Sequence, residues 1–415
     1  MITAYLSYIG RSEAPTTFHR WCIMSVIGAW LGRRYSFQHG HSNIASNMYC
    51  MLMGDAGSRK TTAIKIASQI LKKAGYKNIA AERTTKEKFL LDLAGESGPE
   101  LDSNLLSPDS LMEQNLFGAA DSGDSAEIFV AADEFNTFVG NGNIEFLSLL
   151  GVLWDYAGEF EDRKKNSKSI IINDPTVSIL AGNTATGFSL AFPAEAIGQG
   201  IFSRLILIHG ERTDERIAFP NPPSTEIQDY LVDILHAVRQ VASGKAVMTP
   251  AATSLLEAIY TTQKGLDDVR FESYSNRRFT HLIKLCLISS ASALRNTIEE
   301  TDVLYANTVL THAEHSMSKA LGEFGKAKHS AVAHKLIKMA ENSSMPLSIT
   351  TLWASVHNDM DTMDSLKDLI NNLVYAGKLL STKAGVRAKR KVMEETSSSY
   401  VDFSLLSEHE RKYIL

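Results

Sequence analysis

Glycines, a lysine and threonines follow one another closely after a short apolar run. Residues 50–64 read Cys-Met-Leu-Met-Gly-Asp-Ala-Gly-Ser-Arg-Lys-Thr-Thr-Ala-Ile. Gly54 and Gly57 let the backbone bend around an anion, at which the N–H groups of the loop and of the following helix can point. Lys60 can reach the β and γ phosphates of a nucleotide, and the Thr61 hydroxyl can bind Mg²⁺. The expected nucleotide contacts are Gly54, Asp55, Ala56, Gly57, Ser58, Arg59, Lys60, Thr61 and Thr62.

This loop departs from the usual phosphate-binding pattern at one position. Glycine usually comes directly before the lysine, and this chain has Arg59 there. The alternative interpretation is a glycine turn that merely precedes a helix. The order of strand, turn and helix, together with the motifs that follow, favours the phosphate-binding loop.

A pair of acidic residues follows the next strongly apolar run. Residues 127–139 read Glu-Ile-Phe-Val-Ala-Ala-Asp-Glu-Phe-Asn-Thr-Phe-Val, which predicts a buried strand with Asp133 and Glu134 at its carboxyl end. Asp133 can hold Mg²⁺ through its water shell, and Glu134 can act as general base toward an attacking water. Downstream of a phosphate-binding loop, this interpretation is favoured over a solvated strand end.

Two more polar residues lie next to apolar runs. The sequence Thr-Val-Ser-Ile-Leu-Ala-Gly predicts a strand that ends at Asn183, whose amide can orient water against a γ-phosphate. The alternative is a turn-forming asparagine. Arg204 precedes Leu-Ile-Leu-Ile, where its guanidinium suits an arginine finger that reaches a nucleotide in a neighbouring subunit. The alternative is a surface arginine.

These motifs, in this order, resemble the AAA+ core of MCM-type replicative helicases. Residues 54–61 are similar to that family's Gly-Asp-Pro-Gly-x-x-Lys-Ser loop, which also lacks glycine before its lysine. The Asp-Glu-Phe that begins at Asp133 resembles its Walker B box, and Ser-Ile-Leu-Ala before Asn183 resembles the strand that leads to its sensor-1 asparagine. Ser203 and Arg204 resemble its Ser-Arg-Phe finger, although a leucine replaces the phenylalanine.

The resemblance covers about residues 15–320 and extends to a looser group of phage and mobile-element ATPases. The large N-terminal oligonucleotide-binding domain and zinc site of cellular MCM proteins are not expected here. The resemblance implies an ATP hydrolase with Mg²⁺ as cofactor, acting as a ring-forming DNA helicase in replication. It implies a homo-oligomer, expected to be a hexamer, on single-stranded or forked DNA, and a primase or loader as a further partner. The implied catalytic residues are Lys60, Glu134, Asn183 and Arg204, and the implied metal ligands are Thr61 and Asp133.

The hydrophobic pattern predicts an α/β protein, and together with the resemblance it implies four segments. They are an N-terminal helical segment (1–35), an AAA+ P-loop ATPase core (36–224), a helical lid (225–328) and a winged-helix domain (329–415). Residues 94–125 are rich in Gly, Ser, Asp and Glu, and are expected to form a surface insertion. Apolar helices are predicted at 279–292 and 302–320, and Arg277 and Arg278 at the entry to the first match the place of the sensor-2 arginine of the lid. Arg278, which is closer to the helix, is expected to contact nucleotide; the alternative is a solvent-facing arginine.

Basic residues are expected to contact DNA at two places. Predicted strands flank a basic tip within residues 159–172, where helicase-type AAA+ proteins have a hairpin that points into the pore; the alternative is a solvated basic turn. The predicted wing, with strands at 379–383 and 400–403, carries a second basic run. The helix at 362–376 is acidic, which leaves a protein-contact winged helix as the alternative. The expected DNA contacts are Arg163, Lys164, Lys165, Lys168, Arg387, Lys389, Arg390 and Lys391.

Composition excludes several classes of protein. The chain has 415 residues, a 44% apolar fraction and a net charge of −5, which predicts two or three domains and excludes a generally basic nucleic-acid coat. Its three cysteines are far apart in apolar surroundings, as expected in a reducing compartment. The apolar stretch at 21–31 is too short to span a bilayer, so a cytoplasmic protein without membrane contact is predicted.

Two functional classes therefore remain. The first is a DNA helicase or translocase. The second is an ATP-dependent regulator or remodeller of a protein partner, with the winged helix as a docking module. A small-molecule kinase would explain neither the finger nor the lid and winged helix.

Overall fold

The computed structural model assigns the chain to two compact units. One is formed by Met1–Gly322 and Ser397–Leu415, and the other by Glu323–Thr396. The segment predicted as a winged-helix domain is therefore divided, because its last part belongs to the first, larger unit. The residues that the structure describes are 1–95, 126–163, 169–193, 200–220, 224–322, 324, 328–343, 345–357, 359–360, 362–375, 378–382, 385–388 and 400–412.

The described helices and strands alternate through the first half of the larger unit, and helices dominate afterwards. The helices are α1 (Ile2–Ile9), α2 (Thr16–Leu31), α3 (Lys60–Lys73), α4 (Lys86–Leu93), α5 (Phe135–Val139), α6 (Ile144–Leu153), α7 (Ala185–Ala191), α8 (Thr225–Val241), α9 (Pro250–Thr262), α10 (Glu272–Ser275), α11 (Arg278–Ser292), α12 (Glu300–Leu321), α13 (Lys328–Asn342), α14 (Ile349–Val356), α15 (Met363–Tyr375) and α16 (Glu408–Arg411). The strands are β1 (Tyr35–His39), β2 (Ser42–Ala45), β3 (Tyr49–Met53), β4 (Glu127–Ala132), β5 (Glu159–Asp162), β6 (Ile170–Asn173), β7 (Thr176–Asn183), β8 (Leu205–His209), β9 (Gly244–Lys245), β10 (Val247–Met248), β11 (Thr297–Ile298), β12 (Leu379–Thr382) and β13 (Gly385–Ala388).

A parallel sheet flanked by helices forms the centre of the larger unit, which confirms a mixed α/β fold. Its strand order is β4-β7-β3-β8. Strands β3 and β7 are buried along their whole length, as expected for apolar runs covered on both faces. A parallel bridge between Ile79 and Phe129 continues the pairing beyond β4. Helices α2, α3 and α12 pack against these strands.

Helix α2 is buried on nearly every side. It begins after Pro15, and all of its residues from Thr17 to Leu31 are buried. A helix that is covered all round lies inside a domain rather than on its surface. Among the described residues, no helix combines the length and the apolar character needed to cross a membrane.

The predicted basic hairpin has the two arms that the sequence indicated. Strands β5 and β6 pair antiparallel, with Glu159 opposite Asn173. The carbonyl of Asn173 accepts a hydrogen bond from the N–H of Ala126 at 3.3 Å, so the base of the hairpin lies at the amino edge of the sheet. The tip residues Lys164, Lys165 and Lys168 lie outside the described residues.

The region from 225 to 322 is mainly helical, as predicted. Helices α8 to α12 account for most of it. The sequence did not indicate the short strands between them. Strand β9 pairs with β1, and β10 pairs with β11.

The smaller unit contains helices α13 to α15 and the antiparallel pair of β12 and β13. Its core includes Leu336, Leu352, Leu366 and Val386, all buried. Leu347 bridges to Val386, which adds a third extended segment to the pair. Of the residues in the basic run, Arg387 lies on β13, whereas Lys389, Arg390 and Lys391 lie outside the described residues.

The strand predicted at 400–403 is not formed. The partner of β12 is β13. Val386 of β13 supplies a buried apolar side chain to the core, and its N–H and carbonyl groups both form hydrogen bonds with Leu347. The Tyr400 carbonyl instead accepts from Asn307 at 2.8 Å, and the Asp402 N–H donates to Thr308 at 3.0 Å. Residues 400–412, here called the C-terminal segment, therefore pack on α12 of the larger unit.

Candidate nucleotide-binding site

The predicted phosphate-binding loop connects the carboxyl end of β3 to the start of α3. Gly57 has a φ of 84°, in the left-handed region that the turn was expected to need. The N–H groups in the first turn of a helix have no partner within that helix. Arg59, which precedes α3, provides no side-chain cap to them. The loop therefore directs backbone donors and the positive end of α3 to one point, where an anion is favoured.

Arg59 also adopts the left-handed conformation, with φ 62° and ψ 24°. This is the backbone geometry that glycine, the usual residue here, adopts without strain. The Arg59 guanidinium is held by Glu13, whose other oxygen accepts from the N–H of Ile217 at 2.8 Å. The hydrogen bond from Ile217 and the charge of Arg59 both lower the pKa of Glu13. The departure from the usual pattern thus preserves the loop geometry and links it to the chain beyond β8.

The Lys60 ammonium lies over the loop. Its Nζ donates to the carbonyls of Gly54 and Asp55 at 2.7 and 2.9 Å, and to Ser58 Oγ at 3.2 Å. Partial burial lowers the pKa of Lys60, whereas the charges of Asp55 and Glu134 act to raise it. The cation is therefore directed at the centre of the loop, where phosphate oxygens would lie.

The predicted acidic pair and Asn183 meet the loop at the same edge of the sheet. A Cβ on Gly182 would lie 2.6 Å from the Asp133 carbonyl and 3.5 Å from Lys60 Cβ. Asp133 forms an ion pair of 3.2 Å with Lys65 of α3, and Glu134 is exposed at the start of α5. These contacts bring β4, β7 and α3 together at one location. Glu134 is exposed there and is therefore accessible to water.

Asn183 is 2% exposed at the end of β7. Its backbone carbonyl accepts from the N–H of Gly54 at 3.3 Å, and its Oδ1 accepts from the N–H of Thr184 at 2.9 Å. Within the described part of the chain, its Nδ2 has no hydrogen-bond partner. A buried amide donor beside the loop suits a water or phosphate oxygen as acceptor.

The residues of this edge fit a nucleotide with Mg²⁺. The loop and Lys60 provide donors and positive charge for phosphates, while the half-buried Thr61 and Asp133 provide the hard oxygen atoms that Mg²⁺ prefers. Metal-binding clusters of three or more His, Cys, Asp or Glu residues do not occur in the described ranges. A metal bound here would therefore take its remaining ligands from phosphate and water.

Arg204 lies at the edge of the sheet formed by the amino ends of the strands, opposite the edge that carries the loop. It precedes β8, whose first residue, Leu205, is opposite Tyr49, whereas the loop follows Met53. Four residue steps at about 3.3 Å each separate these edges by roughly 13 Å. The Arg204 guanidinium lies 5.7 Å above the Trp154 ring, and Arg277 lies 5.9 Å from the same ring. Burial, and then the charge of Arg277, lowers the pKa of Arg204.

Buried groups support the Arg204 segment from behind. His281 Nε2 donates to the Ser203 carbonyl at 3.1 Å, and burial lowers the pKa of His281 to about 3, so its ring is neutral at pH 7. Lys284, with no exposed side-chain surface, bonds to Asp155 at 2.8 Å and lies 4.5 Å from the Trp154 ring. This packing holds Arg204 in a defined position.

Arg278 lies in a buried network with α12. Its Nε donates to both carboxylate oxygens of Glu314 at 2.8 and 2.9 Å, and its second nitrogen donates to Asn307 and Thr311. Burial raises the pKa of Glu314. These contacts join α11 to α12 and do not bring Arg278 to the loop.

Sequence reasoning missed a groove that begins at Asp55 of the loop. A cavity of about 380 Å³ is lined by Asp55, His209, Gly210, Glu211, Arg212 and Lys319. Neighbouring parallel strands have their carboxyl ends at the same edge of the sheet, so the end of β8 lies beside the loop. The apolar run of β8 was visible in the sequence and could have indicated this part of the groove. Nothing local indicated Lys319, which comes from the end of α12.

Comparisons with known proteins add no family to this description. No protein-family model matches the chain, and no curated protein matches it.

The left-handed geometry at residue 59 predicts an order of stability among substitutions. We expect Arg59→Gly and Arg59→Asn to change the free energy of unfolding little, because both residues tolerate this conformation. Arg59→Val should lower it by about 1–3 kcal/mol relative to Arg59→Gly, since a β-branched residue is strained there. Urea unfolding of the three variants measures the difference. Equal stability of the valine and glycine variants would contradict the described loop geometry.

Proposed function

We propose that this chain is an AAA+ ATPase that forms a ring and moves along or unwinds DNA in the replication of a phage or mobile element. The observation that carries the proposal is the meeting of Lys60, Asp133, Glu134 and Asn183 at one edge of the parallel sheet, with Arg204 at the other. The strand order supports the AAA+ assignment, since β7 lies between the strand of the loop and the strand of the acidic pair.

Each residue of the first edge has a role that follows from its chemistry. Bound MgATP would supply the γ-phosphoryl group and the charge that activates it. Lys60 and the loop amides would bind the phosphates, and Thr61 and Asp133 would hold the metal. Glu134, which is exposed and at the strand end, accepts a proton from the attacking water. Asn183 orients that water through its buried amide.

The location of Arg204 supports an oligomer. Roughly 13 Å of sheet separates its edge from the loop of the same chain. A guanidinium at that edge acts on a nucleotide only if a second copy presents its loop there, and a ring of identical subunits satisfies this requirement for every copy. We propose a hexamer on the resemblance to MCM-type helicases.

Two features favour DNA over a protein partner. The β5–β6 hairpin precedes β7, as the pore hairpin of helicase-type AAA+ proteins does, and its tip sequence is basic in an acidic chain. The smaller unit has helices followed by a strand pair, and its sequence has a basic run at 387–391, which supports a winged helix. One observation favours the alternative, a remodeller of proteins: α15 carries Asp364 and Asp368, which suit a protein contact better than DNA phosphates.

The chemistry of the first edge is tested by two substitutions. Lys60→Ala should lose nucleotide binding or hydrolysis, because the phosphates lose their cation. Glu134→Gln should bind ATP but lower hydrolysis by about 10²–10⁴-fold, since an amide cannot accept the proton. Nucleotide binding and phosphate release are measured for each variant. Wild-type hydrolysis by Glu134→Gln would show that another residue acts as the base.

The trans action of Arg204 is tested by mixing two inactive variants. Arg204→Ala retains an intact loop, and Lys60→Ala retains an intact finger, so mixed rings contain some interfaces with both. We expect the mixture to recover part of the ATPase activity that neither variant has alone. Full wild-type activity in a monomer at high dilution would contradict a shared site.

The DNA track is tested on the hairpin tip. We expect replacement of Lys164, Lys165 and Lys168 by alanine to keep basal ATPase activity and to reduce DNA stimulation and strand separation. The salt dependence of DNA binding should also decrease, because phosphate contacts are lost. The comparison is a variant with Lys389, Arg390 and Lys391 changed to alanine, which should weaken initial binding more than movement. Unchanged unwinding by the hairpin variant would favour the protein remodeller.

A further inference from the structure

The groove that begins at the phosphate-binding loop continues into a second cavity. This inner cavity has a volume of about 270 Å³ and shares His209, Gly210, Glu211 and Lys319 with the outer one. The two spaces therefore lie next to each other beside the loop. Ligand pockets have typical volumes of about 300–1,000 Å³, so together they are large enough for a small organic molecule.

The inner cavity is walled by segments that are distant in the sequence. Pro15 and Thr17 contribute from the start of α2, and the last turns of α12 contribute a second set of side chains. The C-terminal segment contributes His409 and Glu410. A part of the chain that follows the smaller unit thus closes a cavity beside the loop.

The C-terminal segment is fixed by buried polar contacts. Glu410 is 1% exposed, and its two oxygens accept from Arg20 of α2 at 2.7 and 2.6 Å. Ser407 donates to the same carboxylate at 2.7 Å, and His312 donates to the Glu410 carbonyl at 3.1 Å. Removal of either partner from such a buried charge pair strongly destabilises the folded protein, because the other charge stays buried without a partner. The wall is therefore a defined part of the larger unit.

The inner cavity provides groups that suit a nucleoside. Burial lowers the pKa of His209 and of His312, which favours the neutral form of both rings. Neutral imidazoles offer flat aromatic surface, and stacking of a base on an aromatic side chain contributes about 1–3 kcal/mol. Ser316 and Thr17 add hydroxyl groups for hydrogen bonds with a base or sugar.

We propose that the C-terminal segment is part of the nucleotide site: α16 closes the compartment that receives the ribose and adenine of ATP. This rests on the proposed function, which assigns the phosphates to the loop. With the phosphates there, the groove from Asp55 leads the nucleoside into the inner cavity. Binding free energies are reciprocal, so a bound nucleoside stabilises the docked segment and the docked segment raises nucleotide affinity.

Calorimetric titrations of the full chain with Mg·ADP and with inorganic tripolyphosphate test this assignment. Ser316→Trp fills the compartment, and His409→Ala removes part of its wall. Both should weaken ADP binding on the order of tenfold and leave tripolyphosphate binding unchanged, because the indole of Ser316→Trp takes the space of the base and His409→Ala loses one aromatic contact. Arg411→Ala, an exposed residue of the same helix, is the matched control and should bind both ligands as the wild type does.

Hydrogen exchange on the wild-type protein tests the same proposal without a substitution. The N–H groups of Asp402 and Arg411 are hydrogen-bonded to Thr308 Oγ1 and to the Ser407 carbonyl. Their exchange should slow at least severalfold with ADP and stay unchanged with tripolyphosphate, because only the nucleoside reaches the segment.

The outcomes separate the two proposals. Unchanged ADP affinity in both pocket variants, or equal protection by ADP and tripolyphosphate, overturns the role of the C-terminal segment and leaves the phosphate site intact. Equal losses of ADP and tripolyphosphate binding in both variants overturn it also, since the effect would then not concern the nucleoside. A wild-type protein that binds neither ligand overturns the proposed function and this inference with it.

Discussion

Strand β3 pairs with β7 on one side and β8 on the other, in a register that sets Met53 opposite both Asn183 and His209. The phosphate-binding loop and Asn183 come at the carboxyl ends of β3 and β7, so their positions relative to each other depend on this register. Asn47, buried just before β3, donates to the Val177 carbonyl at 3.0 Å and helps to fix it. A shift of β3 by one residue against its neighbours would displace the loop from the groups around it. It would also turn each side chain of β3 to the other face of the sheet.

The parts of the fold that could be predicted from sequence are those in which local pattern and burial agree. Apolar runs of strand length predicted β3, β4, β7 and β8, and helical periodicity predicted α11 and α12, because such segments are covered by whatever surrounds them. The loop geometry at residues 54–61 was also predictable, since glycine and a helix start specify it locally. Even Arg59 fits, because it adopts the conformation of the glycine that it replaces.

The features that sequence did not indicate depend on contacts between distant residues. Arg278 at a helix start suggested a nucleotide contact, but its charge is paired with Glu314, one helix further along the chain. Val386 lies in a basic run that hides its strand character, so the second strand was predicted at 400–403 instead. Arg20 and Glu410 have a sequence separation of 390, and no local pattern connects them. Long-range pairing of this kind follows from the completed fold.

The return of residues 400–412 to the larger unit has a consequence for how the molecule is made. Synthesis proceeds from the N-terminus, and domains generally fold as units while the chain emerges. Glu410, the partner of Arg20, is synthesised only after all of the smaller unit has been translated. Until then Arg20 of α2 lacks the carboxylate that pairs with it in the folded protein, and the larger unit stays incomplete. The smaller unit is complete in sequence before Glu410 is synthesised, so the chain can complete it before it completes the larger unit, although the larger unit begins first.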